Sequence, residues 1–249
     1  MTFLEAVYWD LDGTIANTEL EAHLPAFNQA FNDFNLDWNW DISTYLDLLK
    51  INGGKNRISY YSKLKDQFMN KQEVIKIHER KQYHYINYVV KNNVISLKIG
   101  VYRLIKELQN KKVRQFIVTS SSKEQAKLIT KKLFKEFNPF EFIISSDDVE
   151  FHKPNPMPYL KAMRLSGIKH NKSIVFEDSI SGIKSSLAAK LPTIYVPSNI
   201  PAVFEKDMFL DCFIDCLGDD NCNSNVIKGP ELDSDYVDCA YLEKYLMTI

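Results

Sequence analysis

The 249-residue sequence predicts an α/β protein: a doubly wound parallel sheet with an α-helical domain inserted after its first strand. Three observations predict it. Short apolar runs recur along the chain, helical stripes alternate with them, and one long stretch holds helical periodicity without a strand. The first run, Leu4–Trp9, leads straight into acidic residues and a glycine, the pattern of a buried parallel strand whose C-terminal end carries a site. Comparable runs lie at Val113–Val118, Phe142–Ile144, Ile174–Phe176 and Thr193–Val196. Between them Val101, Leu104, Ile105 and Leu108 share one helical face, as do Ile180, Ile183 and Leu187.

The stretch that breaks the alternation runs from about Glu19 to Lys91. Leu20, Leu24, Phe27, Phe31 and Phe34 step by four, three, four and three, an apolar stripe suited to packing, and Ile75–Tyr88 reads as another helix. The expected organisation is a core domain of residues 1–17 and 93–249 and a helical cap domain of residues 18–92. Beyond Pro197 the polar, turn-rich stretch Gly218–Asp235 reads as a long surface loop or tail.

With 45% hydrophobic residues, 25% charged residues and a net charge of -1, the chain falls in the ordinary soluble class. Residues 98–136 hold eleven Lys/Arg against Glu107, Glu124 and Glu136. That excess reads as solvated helix faces, because no groove-reading or aromatic-interleaved pattern accompanies it; no nucleic-acid partner is expected. The N-terminus lacks a basic segment followed by an apolar region, and no apolar run reaches membrane-spanning length, so neither a signal peptide nor a membrane contact is expected. Cys212, Cys216, Cys222 and Cys239 form no zinc-type pairs, and reduced thiols in a cytoplasmic monomer are the simplest reading.

Four motifs fall at the ends of the proposed strands: Asp10-Leu11-Asp12-Gly13-Thr14, Thr119-Ser120-Ser121-Ser122, Lys153-Pro154 and Glu177-Asp178-Ser179. Each alone has an ordinary structural explanation in a turn or a helix cap, but ligands of open α/β sheets bind outside the carboxyl ends of the strands, where all four can converge. Gathering Asp10, Asp12, Glu177 and Asp178 would be self-repelling without a cation. Oxygen-only ligands fit Mg²⁺, with Asp10 and Asp178 as the expected side-chain ligands. Lys153 and the Ser120 hydroxyl would then offset the charge of a phosphoryl group, so that Asp10 can attack it. Asp12, two residues on in an extended chain, projects to the same side and is placed to act as general acid and base.

These motifs, DLDGT, VTSSS, KPNP and FEDSISGI, resemble those of the haloacid dehalogenase (HAD) superfamily over roughly residues 4–197. The resemblance implies a Rossmann-like core, a Mg²⁺-dependent phosphoric monoester hydrolase with an aspartyl-phosphate intermediate, metal ligation by the Asp12 backbone carbonyl, and support of the metal shell by Glu177. It also implies that the helical insert is a cap for small-molecule substrates; Ser121, in the serine run, is expected among the substrate-binding residues.

A narrower similarity to CbbY proteins rests on Glu19, His23, Phe27-Asn28, Leu36-Asp37-Trp38, Trp40-Asp41 and Lys50-Ile51-Asn52-Gly53-Gly54-Lys55-Asn56-Arg57. It implies a phosphatase for xylulose-1,5-bisphosphate, with Gly54, Lys55 and Arg57 at a second phosphate and Glu19 and His23 on sugar hydroxyls. Plain readings stand beside these: Gly53-Gly54 as a tight turn, Lys55 and Arg57 as solvated charges, His23 as a packed helix residue. Asn17, Asn52 and Lys190 depart from the family pattern, the last two replacing glycines. The competing activities are a β-phosphoglucomutase-like sugar phosphomutase and, from another class, a phospho-receiver signalling module. The receiver would carry its nucleophile on a later strand and would have no cap.

Overall fold

A computed structural model describes residues 3–51, 53–91, 95–198 and 210–249. Strand β1 (Ala6–Trp9) is buried along its whole length. From Thr18 the chain leaves the sheet. A wide helical turn at Glu19–His23 runs directly into α1 (Leu24–Asp33), followed by α2 (Ile42–Leu48), α3 (Gly54–Leu64) and α4 (Lys71–Lys91). The chain then alternates through α5 (Val101–Asn110), β2 (Arg114–Val118), α6 (Lys123–Leu133), β3 (Ile143–Ile144), α7 (Met157–Ser166), β4 (Ser173–Glu177), α8 (Ile180–Ala188) and β5 (Thr193–Tyr195). Strands β6 (Cys212–Ile214) and β7 (Val226–Lys228) and helix α9 (Cys239–Leu246) complete it.

Two compact units result, one of Met1–Asn17 with Ser96–Ile249 and one of Thr18–Ile95. Residues 92 and 93, where the sequence reading places the return to the core, lie outside the described residues, as does Asn52.

The first unit is built on one sheet of order β3-β2-β1-β4-β5-β6-β7, parallel except for the β6–β7 pair. β1 sits between β2 and β4, with Trp9 level with Ile117 on one side and Phe176 on the other. Chain order turns round beside β1, which is the topological position where open α/β sheets hold ligands. Trp9 locks this point: its ring stacks on Phe176 at 4.5 Å and its Nε1 donates to Gln115 at 3.1 Å. On α5, Val101, Leu104, Ile105 and Leu108 are all buried, as their spacing predicts.

The stretch 218–235 differs from expectation. It contains β7, which pairs antiparallel with β6 and continues the sheet instead of running as a loop. Three-residue strands bounded by polar turns leave too short an alternation to read from the sequence.

The second unit is helical throughout its described residues. Its core is the α1 stripe: Phe27 and Phe31 each lie 4.7 Å from Trp40, and Phe31 5.2 Å from Trp38. Phe34, the last residue of the stripe, falls beyond α1 and is exposed. Asn28 holds Trp40 by both backbone groups, accepting from its N–H and donating to its carbonyl at 2.8 Å each. Asp41 caps α2 by accepting from the Thr44 N–H at 2.7 Å.

Candidate active site

Asp10 directly follows β1, and its backbone N–H donates to the Phe176 carbonyl of β4 at 3.0 Å, so the two strands fix where its side chain begins. The Lys153 ammonium lies across from it. It spends its three protons on Asp10 Oδ1 at 2.6 Å, Glu177 Oε1 at 2.6 Å and the Val118 carbonyl at 2.8 Å, which ties together the ends of β1, β2 and β4. All of this is buried. The Lys153 side chain is 4% exposed, Asp10 10% and Glu177 0%, so these ion pairs operate in a low-dielectric setting. Tyr159 of α7 donates its hydroxyl to the same Glu177 oxygen.

One carboxylate oxygen each from Asp10, Glu177 and Asp178 lie within 4.8 Å of one another. Burial pushes Asp10 up to about 7, against the pull of Lys153 and with added repulsion from Glu177 and Asp12. Lys153 is held above its ordinary value because Asp10 and Glu177 outweigh the cost of its burial. Lys153 faces Asp10 and Glu177, and Lys98 feels the charge of Asp178, so two ammonium groups meet three gathered carboxylates whose remaining negative charge a divalent cation would offset. The oxygen-only donor set fits a hard cation. Two glycines keep the cluster this tight: a Cβ on Gly13, whose φ is +90, would fall into the Asp178 carboxylate, and one on Gly182 would fall into that of Glu177.

Asp12 is held apart from this triad. Its Oδ2 accepts from the Ser121 hydroxyl at 2.6 Å and, more weakly, from Thr119 at 3.5 Å, while the Ser121 N–H donates to Thr119 Oγ1 at 3.0 Å. The hydroxyl on Asp12 is therefore that of Ser121, and Ser120 is exposed at the same turn. Tyr159 went unnoticed in the sequence, and Thr119 was read there only as the first residue of the serine run.

The expected cap residues sit in the second unit and are linked there. Glu19 accepts from the Tyr45 hydroxyl, and the Arg57 guanidinium lies 5.9 Å from the Tyr45 ring while its Nε donates to the Ile51 carbonyl at 2.9 Å. His23 stacks on Tyr85 at 4.2 Å, with Nδ1 2.6 Å from the Lys81 ammonium. Gly54 packs where a Cβ would press on His78 at 2.8 Å. Lys55 is exposed in the first turn of α3. His78 is forced down to about 3, first by burial and then, to a smaller extent, by the charges of Lys81, Lys55, His23 and Arg57. Tyr45, His78, Lys81 and Tyr85 were not legible, because helix spacing alone marks them as packing or solvated face.

The family model of haloacid dehalogenase-like hydrolases matches residues 7–196, from within β1 through β5 and across all four motifs. The chain belongs to this hydrolase family. Protein CbbY of Cupriavidus necator is 32% identical over 206 residues, covering 80% of each chain, and CbbY of Rhodobacter capsulatus is 31% identical over 197 residues, 78% of this chain and 86% of that one. The solved structure of CbbY from Rhodobacter sphaeroides in complex with xylulose-(1,5)bisphosphate superposes with a TM-score of 0.74 at 27% identity, covering 86% of this chain and 94% of that one. A β-phosphoglucomutase from Clostridium difficile has a TM-score of 0.63 at 17% identity, a likeness of fold alone. Within the HAD hydrolases this chain is a phosphatase. Among the described residues no helix is long and apolar enough to cross a membrane.

Proposed function

We propose that the chain is a Mg²⁺-dependent phosphatase that hydrolyses a small sugar bisphosphate, xylulose-1,5-bisphosphate, through an aspartyl-phosphate on Asp10. The observation that carries the reading is the buried array in which Lys153 bridges Asp10 and Glu177 beside Asp178. Asp10, Asp178 and the Asp12 carbonyl would hold the metal, with Glu177 supporting them. Bound Mg²⁺ would offset the charge of the phosphoryl oxygens.

The chain's own groups perform the rest. The Asp10 carboxylate attacks phosphorus while its approach is eased by the Lys153 charge and a hydroxyl donated from Ser120. Asp12, steadied by Ser121, protonates the departing sugar oxygen and then takes a proton from the water that opens the acyl-phosphate. The choice of a bisphosphate rests on the second unit. Lys55 and Arg57 contribute to the positive charge that depresses His78, and a second phosphate is the complementary ligand for such a cluster. The CbbY relative solved with xylulose-(1,5)bisphosphate supports the same substrate. The enzyme is proposed to act as a cytoplasmic monomer.

Phosphate release measured over sugar mono- and bisphosphates, with Mg²⁺ and with excess chelator, tests the proposal. Xylulose-1,5-bisphosphate should lead the series, and chelation should stop the reaction. Full activity under chelation, or an isomerised phosphate ester in place of free phosphate, would overturn it.

A further inference from the structure

The C-terminal extension holds a thiol pair that the phosphatase chemistry does not use. Cys216 and Cys222 flank the turn between β6 and β7 with their sulfurs 3.9 Å apart, and both are partly exposed. We infer that Cys216 and Cys222 form a reversible intramolecular disulfide by exchange with a disulfide reagent of the glutathione class.

The backbone around the pair is already closed. Asp219 and Cys222 exchange N–H···O bonds at 2.9 and 3.2 Å, Asp215 and Asn225 bond across the hairpin, and the Ser224 hydroxyl donates to the Cys216 carbonyl at 2.6 Å. Arg103 of α5 anchors the same loop by donating to the carbonyls of Leu217 and Gly218. The chain entropy of bringing the two cysteines together is therefore lost on folding, before any bond forms. A disulfide needs about 2.05 Å between sulfurs, so roughly 2 Å remains, a distance within reach of side-chain torsions. Both thiols already converge on one acceptor, the Asn223 carbonyl, at 3.5 and 3.8 Å. The other two cysteines differ. Cys212 and Cys239 are buried, and Cys212 has Tyr241 Oη as its neighbour at 3.4 Å.

The order of events follows from the thiols. Burial pushes Cys216 up to about 12, so the opening attack falls to Cys222. Its thiolate attacks one sulfur of the reagent, the reagent's S–S bond breaks, and one thiolate leaves. Cys216 then gives up its proton to solvent and attacks as the thiolate at the Cys222 sulfur of the mixed disulfide, and the second reagent thiolate departs and takes up a proton. Two protein thiols lose two electrons and two protons in total, and one reagent disulfide becomes two reagent thiols.

The test uses the full chain, reduced, freed of reductant and incubated with oxidised glutathione, then mapped by mass spectrometry after the remaining thiols are alkylated. The expected result is a loss of two hydrogens, a Cys216–Cys222 cross-link and alkylation of Cys212 and Cys239 after unfolding. Cys216→Ser should instead retain a glutathione adduct on Cys222, because the closing thiol is missing. A wild-type protein that keeps all its thiols, stops at a glutathione adduct, or links Cys212 or Cys239 would overturn the inference.

Discussion

Replacing Lys153 by methionine keeps the volume of the side chain and removes its charge. The ammonium pairs with Asp10 and Glu177 at 2.6 Å each, and all three side chains are at most 10% exposed. Removing one partner of a buried ion pair strands the other charge and costs about 3–5 kcal/mol. The sign with pH follows from the acids. Asp10 already stands at about 7, above its unfolded value near 4, so the native state holds its proton more firmly than the unfolded chain does. Its contribution to stability is present below pH ~4 and is lost as pH rises through about 7. Without Lys153 the Asp10 carboxyl rises further, so the variant's deficit should be large at pH 8 and shrink toward pH 5. Urea unfolding of the metal-free protein at both pH values, followed by tryptophan fluorescence, measures this. A deficit below about 1 kcal/mol at pH 8, or one equal at pH 5, would refute the electrostatic reading of the site.

Arg57→Ala should cost about 1.5–3 kcal/mol in kcat/KM for xylulose-1,5-bisphosphate, the worth of a charge-assisted contact, and leave p-nitrophenyl phosphate nearly unchanged. Equal losses on both substrates would count against a distal-phosphate role. Asp12→Asn should transfer phosphate from an activated ester once and then stall, seen as a burst of leaving group without steady turnover; fast steady turnover would remove Asp12 from proton transfer. Lys190 follows α8 with φ 59, a left-handed conformation costly for any residue with a Cβ. Lys190→Gly should therefore raise stability by about 0.5–1 kcal/mol in urea unfolding, the released strain exceeding the entropy glycine adds to the unfolded chain.

The legible parts of this protein share one property: their signal is local. Five of the six parallel strands leave apolar runs, and a ligand site at their carboxyl ends leaves polar motifs just after them, so Asp10, Lys153, Glu177 and Asp178 could be gathered from order alone. The missed residues act across distance. Tyr159 reaches Glu177 from a helix that packs on the sheet, where a buried tyrosine has no mark distinguishing it from core. Ser120 and Ser121 are adjacent and chemically alike, and only the turn geometry puts the Ser121 hydroxyl on Asp12. Lys190 was noticed as a departure from glycine, and its positive φ supplies the physical reason for glycine there.

The central claim, covalent catalysis by Asp10, is tested most directly by rapid acid quench of a single turnover with phosphorus-labelled xylulose-1,5-bisphosphate and Mg²⁺. The account predicts label on a peptide containing Asp10 that forms before free phosphate and decays at the rate phosphate appears, with none formed by Asp10→Asn. Phosphate released without any labelled protein, or label on another residue, would contradict it.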